Sequence, residues 1–290
     1  MNKPQWITLA FSTLLVVGLF TATQASFFGT TKARKSQISA AAPHDNHLSI
    51  DSILFYAKKE LPQTQVARLA FLENSIVRGD VAEQKLHLAH QLARYWVDSA
   101  RAFTSMAFYP YAHYTAEAAR LENSEKSLSF AAHLFLAALG SEESSQLKHW
   151  EAEQAKELFE KTLKLNPLND SAKVGLGATI LYGGLDAPMK GIALIREVAE
   201  KTPDNAYAQL TLAEASLLSG QLDKAVERLQ NVLRLQPAQL QAALLLADTY
   251  ERMNKKEEAA IAYRKALPLV TVPEMRKEVE KRIAQLKSKQ

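Results

Sequence analysis

The sequence contains no cysteine. Disulfides, thiolate metal sites, cysteine nucleophiles and a lipid-modified cysteine anchor are thereby excluded. Chain breakers are few, with 10 glycines and 10 prolines in 290 residues. Long alternations of Val, Ile and Thr are missing as well. With 47% apolar residues, these scarcities exclude a disordered chain and predict an all-α fold. Charge of one sign is also lacking: the formal net charge is only +4. Residues Met275 to Gln290 carry that excess by themselves, so no broad basic face for nucleic acid is implied. Catalytic signatures are absent too. There is no nucleophile elbow and no HExxH. Gly175-Leu176-Gly177 has the spacing of a phosphate loop but no preceding strand, which both nucleotide-binding patterns require.

What the chain does have is a period. Residues 206–237 read as two short helices joined at Ser219-Gly220, and the next stretch has the same shape 34 residues on. Leu212 and Ala213 recur as Leu246 and Ala247. Ala225, Leu229 and Val232 recur as Ala259, Tyr263 and Ala266. Small residues at fixed places in a period of this length are the sign of a helical repeat array. The pattern resembles the tetratricopeptide repeat (TPR). The resemblance implies an α-solenoid of antiparallel helix pairs, in which each pair buries its open face against the next.

Taken in order, the chain begins with an apolar run, Trp6 to Ala22, preceded by Lys3. At about 1.5 Å per residue it reaches roughly 26 Å, close to a hydrocarbon core of about 30 Å. It reads as an uncleaved single-pass anchor within residues 1–28. A signal peptide cleaved near Thr23-Gln24-Ala25 is the competing reading. The signal-like start argues for a folded part that is exported or periplasmic; the basic residues Lys32, Arg34 and Lys35 argue the other way. Residues 29–50 are small and polar and read as a flexible tether. Residues 51–126 read as a divergent helical, TPR-like region, with helices over Val66 to Val77, Val81 to Phe103 and Ala112 to Leu121. Residues 127–270 read as the repeat array. It opens with a helix over Leu128 to Leu139, a loop from Gly140 to Leu147 and a helix over Glu151 to Leu165. Asn166-Pro167 ends that helix, and Asp170 or Ser171 caps the next. Residues 271–290 read as an amphipathic capping helix with Val279, Ile283 and Leu286 on its apolar side.

The resemblance also implies where a partner binds. The first helix of each pair lines the inner surface, which places Val174, Ala178, Tyr182, Tyr207, Leu210, Glu214, Leu217, Gln241, Leu244, Asp248 and Arg252 in a groove. The carboxylate clamp of chaperone-binding TPR domains uses Lys and Asn at such positions. Here Leu210, Glu214, Leu244 and Asp248 stand instead, so the groove suits an apolar or basic protein segment. Close packing of the same side chains against a neighbouring helix is the alternative. The anchor-plus-repeats layout is also that of TPR helpers of cytochrome c maturation.

Two further constellations offer other functions. Glu83, His87 and His90 share one helical face and could ligate a metal, which would make the chain a metal-dependent protein. The basic last helix could serve a nucleic-acid accessory. Tyr95, Trp96, Phe103, Phe108, Tyr109, Tyr111 and Tyr114 form the densest aromatic cluster. They read as core, or as an anchor patch for a partner. Only Arg101 lies among them as a base, too little for stacking on RNA. The sequence thus points to a non-enzymatic, membrane-tethered scaffold without cofactor, small-molecule substrate or nucleic acid.

Overall fold

The computed structural model describes residues 48–78, 82–98, 104 and 106–288. The apolar run, the tether up to residue 47, Arg101 and Phe103 lie outside the described residues. Within them the secondary structure is helical, and no helix is long and apolar enough to cross a membrane. The helices fall into two compact units, one ending at Asp186 and the other beginning at Ala187.

The first unit holds α1 (Ile50–Lys59), α2 (Gln63–Arg78), α3 (Ala82–Asp98), α4 (Phe108–Glu122), α5 (Glu125–Leu139), α6 (Ser145–Leu165) and α7 (Asp170–Gly183). Side-chain caps set the starts. Ser49, Ser124, Ser144 and Asn169 each accept the backbone N–H three residues on, which satisfies an amide the helix leaves open. The cap of α7 is therefore Asn169, one residue before the expected Asp170 or Ser171. Helix α6 begins six residues earlier than its apolar periodicity predicts, because Ser144 caps it and the Glu142 carboxylate accepts the Ser144 N–H at 2.7 Å. Helix α4 likewise begins earlier, at Phe108.

Antiparallel neighbours α3 and α4, then α5 and α6, pack most closely, and α6 also packs on α7. Ala57, Leu69, Leu92, Trp96 and Tyr114 share one core cluster. Glu125 fixes the edge of the unit, accepting from Asn166 Nδ2 at 2.9 Å and Asn169 Nδ2 at 2.7 Å.

The second unit holds α8 (Pro188–Lys201), α9 (Ala206–Leu218), α10 (Leu222–Leu235), α11 (Leu240–Arg252), α12 (Lys256–Ala266), a 3-10 turn (Leu267–Leu269) and α13 (Pro273–Ser288). Its backbone repeats to the bond. The Gln221 N–H reaches the Ser216 carbonyl at 2.8 Å, and 34 residues later Lys255 reaches Tyr250 at 2.9 Å. Between them sit Gly220 (φ 71°) and Asn254 (φ 59°) in the left-handed conformation. Only glycine enters that region freely and asparagine tolerates it, so both close their helices with the same six-to-one motif. The repeat positions read from the sequence are filled as expected: Ala213, Ala225, Leu229, Val232, Ala247, Ala259, Tyr263 and Ala266 are all buried in one core. Helix α13 closes this core with Met275, Val279, Ile283 and Leu286 and turns charged residues outward.

Candidate interaction groove

Helices α9 and α11 are the first members of two successive pairs. Tyr207, Leu210, Glu214 and Leu217 lie on one side of α9; Gln241, Leu244, Asp248 and Arg252 lie on the equivalent side of α11. Spacings of three and four place each set along one helical face. The structure splits the set by character. Leu210, Leu217 and Leu244 are 7%, 8% and 3% exposed and belong to the unit's core. Tyr207, Glu214, Gln241 and Asp248 are half-buried and Arg252 is exposed. The apolar members thus form a floor, and the polar members lie at the surface above it. Val174, Ala178 and Tyr182 lie on α7 in the first unit, the first two buried and Tyr182 half-buried.

The polar row is interlocked. Gln241 Nε2 donates to Glu214 Oε1 at 2.6 Å and so bridges the two helices. Arg252 Nη2 reaches back to the Leu217 carbonyl at 3.4 Å. Burial raises the Asp248 carboxyl above the ordinary aspartate range, while the Arg252 guanidinium pulls it back and Glu251 adds to the rise. Burial also raises the Tyr207 phenol, and the Glu214 charge beside it raises it further. Charge that is half removed from water is worth more to a cationic partner than the same charge in bulk solvent.

Sequence reasoning missed one member. One period beyond Leu217 stands Glu251, not Arg252. Glu251 is half-buried, accepts from Arg282 Nε of α13 at 2.8 Å and from Tyr263 OH at 3.4 Å. The 34-residue register was itself the signal that would have found it. The row therefore holds three carboxylates, Glu214, Asp248 and Glu251, and ends against the capping helix.

The other candidate constellations are placed differently. On α3, Gln91 Nε2 donates to His87 Nε2 at 3.0 Å, and His90 Nε2 pairs with Glu122 of α4 at 3.0 Å. Among the described residues no three His, Asp or Glu side chains converge as metal ligands. The aromatics are taken up by packing. Tyr95, Trp96, Tyr109 and Tyr114 are buried. Tyr95 donates to Gln65 Oε1 at 3.0 Å, Tyr109 to Glu142 at 2.5 Å and Tyr114 to Glu73 at 2.8 Å. Phe108 and Tyr111 are half-buried.

Residues 191–266, about a quarter of the chain, match the family model described as anaphase-promoting complex, cyclosome, subunit 3. A search of curated proteins gives no match. Among solved structures, the chain is similar to MamA residues 41 to end from Desulfovibrio magneticus RS-1, at 24% identity and a TM-score of 0.43 over 66% of this chain and 96% of that one. It is similar to TTC0263, a thermophilic TPR protein of Thermus thermophilus, at 17% identity and a TM-score of 0.49 over 68% and 98%. It is also similar to YrrB, described as a TPR protein with an unusual peptide-binding site, at 16% identity and a TM-score of 0.41 over 72% and 97%. With the 34-residue register of its backbone bonds and the matched residues 191–266, the helix-pair array of this chain is of the tetratricopeptide type.

Proposed function

We propose that the chain is a non-enzymatic scaffold, tethered to a membrane by Trp6 to Ala22, that holds a basic protein segment along α9 and α11. The observation that carries this reading is the polar row over a closed apolar floor: Glu214, Asp248 and Glu251 above Leu210, Leu217 and Leu244. A row of that kind offers charge and hydrogen bonds without an apolar pocket. It favours Lys or Arg side chains spaced to meet successive carboxylates. Tethering keeps the row within reach of the bilayer; some 20 tether residues allow roughly 25 Å of travel. A partner that is itself membrane-bound then meets it at raised effective concentration. No cofactor is part of this reading.

The test is fluorescence anisotropy with the full chain in detergent and peptides of equal length that are basic, neutral or acidic. Basic peptides are expected to bind, and Glu214→Gln with Asp248→Asn to weaken them at least about tenfold, equivalent to about 1.4 kcal/mol. Equal binding of all three classes, or no effect of the substitutions, contradicts the assignment. A reporter fused after Gln290 tests export.

A further inference from the structure

Glu151 lies in the second turn of α6 and is 0% exposed. Neither of its carboxyl oxygens has a hydrogen-bond partner within the protein. Its chain neighbours on either side pack against two other helices. Trp150 meets the Phe135 ring of α5, with centroids 5.3 Å apart, and Ala152 backs directly onto Gly183 at the end of α7. A carboxylate without donors in such a place loses its hydration and gains nothing in return, which drives it to keep its proton.

We propose that Glu151 is a proton-sensitive joint of the first unit: it packs in neutral form among α5, α6 and α7, and loss of its proton loosens these helices.

The surrounding charges support this. Burial raises the Glu151 carboxyl well above the ordinary glutamate range, Glu142 of the α5–α6 loop raises it further, and Lys148 on the preceding turn lowers it. Glu142 is itself held in place, by the Tyr109 hydroxyl of α4 and the Ser144 N–H. Helix α5 also carries His133. His133 is engaged elsewhere, donating from Nδ1 to the Ser129 carbonyl at 2.8 Å and lying edge-on to the Phe159 ring.

The sign follows from linkage. The folded state binds the proton more tightly than the unfolded state. The contribution is therefore complete below the ordinary glutamate value near 4.5 and is lost as pH rises toward the raised value. Two half-buried histidines work in the opposite direction. Burial lowers His113 to about 4, opposed by Glu117, and burial also lowers His133. Their contributions are lost as pH falls through the ordinary histidine value of 6.5. His113 and His133 are unchanged in variants of Glu151, so the difference between the native chain and such a variant isolates Glu151 from both.

The experiment is thermal unfolding of the full chain in detergent from pH 4.5 to 8.5, followed by circular dichroism, for the native chain, Glu151→Gln and Glu151→Met. Both replacements are neutral at every pH. The native melting temperature is expected to fall with rising pH relative to each variant, by about 3–8 °C in total. A difference that stays constant with pH overturns the proposal. Failure of both variants to fold at every pH overturns it equally, because a site that holds a neutral carboxyl tolerates a neutral substitute.

Discussion

Gly175 carries no side chain because the Phe159 ring occupies the place a Cβ would take. Phe159 is fully buried between α6 and α7 and cannot swing outward. Gly175→Ala is therefore expected to cost about 1–3 kcal/mol by overpacking, read as a lower urea midpoint with an unchanged slope. Arg120 offers a second test. Its guanidinium grips Glu157 through Nε and Nη2, Glu117 through Nη1 at 2.7 Å and Gln154 at 2.8 Å. Partial burial alone would raise the Glu157 carboxyl, but the hydrogen bonds from Arg120 and Lys161 hold it down to about 2. The stability this supplies is present above pH 4.5 and is lost as pH falls toward 2. Arg120→Met is expected to cost about 1–2 kcal/mol at pH 7, discounted because Glu157 is 40% exposed. The same variant should move the Glu157 titration upward in carbon-detected NMR. Residues of these kinds differ in how far the sequence shows them. Ala213 and Ala247 were legible because a small side chain at a fixed place in a repeat has one packing reason. Glu151 was not, because a glutamate on a helix is normally solvated, and only the tertiary packing of three helices shows that this one is not. Glu125 bridges Asn166 and Asn169, and that link too exists only in three dimensions.

At the scale of elements, helix identity was legible and helix ends were not. The apolar spacing of Leu128, Ala131, Phe135 and Leu139 marks α5 whatever its neighbours do. The start of α6 was obscured because Ser145, Gln146, Lys148 and His149 give no apolar period; Ser144 and Glu142 set the start by hydrogen bonding instead. The cap of α7 fell within Asn169-Asp170-Ser171, three residues that all cap well, so local chemistry could not choose among them. Helix α13 shows what an end element does in a repeat array. Val279 is 1% exposed against the last pair, while Ala284 on the same helix faces solvent. Val279→Asp is expected to destabilise the second unit by about 3 kcal/mol or more, with faster amide exchange through α12 and α13. Ala284→Asp should change neither by more than about 0.5 kcal/mol.

Taken whole, the proposed molecule joins three parts: an apolar leader that serves as an anchor, a tether, and helix pairs whose first members carry a row of acids. The repeat type was legible in the 34-residue period and its small residues, and the role of α9 and α11 as first helices is what the resemblance implied. The division of the groove into floor and rim was not legible, since the resemblance assigns Leu210 and Glu214 to the same helical face and only packing shows that one is buried and the other half-buried. The absence of native cysteine makes the central claim directly testable. Single substitutions Glu214→Cys and Asp248→Cys carry a photo-crosslinker on the proposed rim; Glu227→Cys and Arg264→Cys carry it on exposed positions of the second helices α10 and α12. After irradiation in intact membranes, positions 214 and 248 are predicted to give defined protein adducts that a basic peptide competes away, and positions 227 and 264 none of these. Adducts formed only at 227 and 264, or adducts at the rim that the basic peptide leaves untouched, would contradict the assignment.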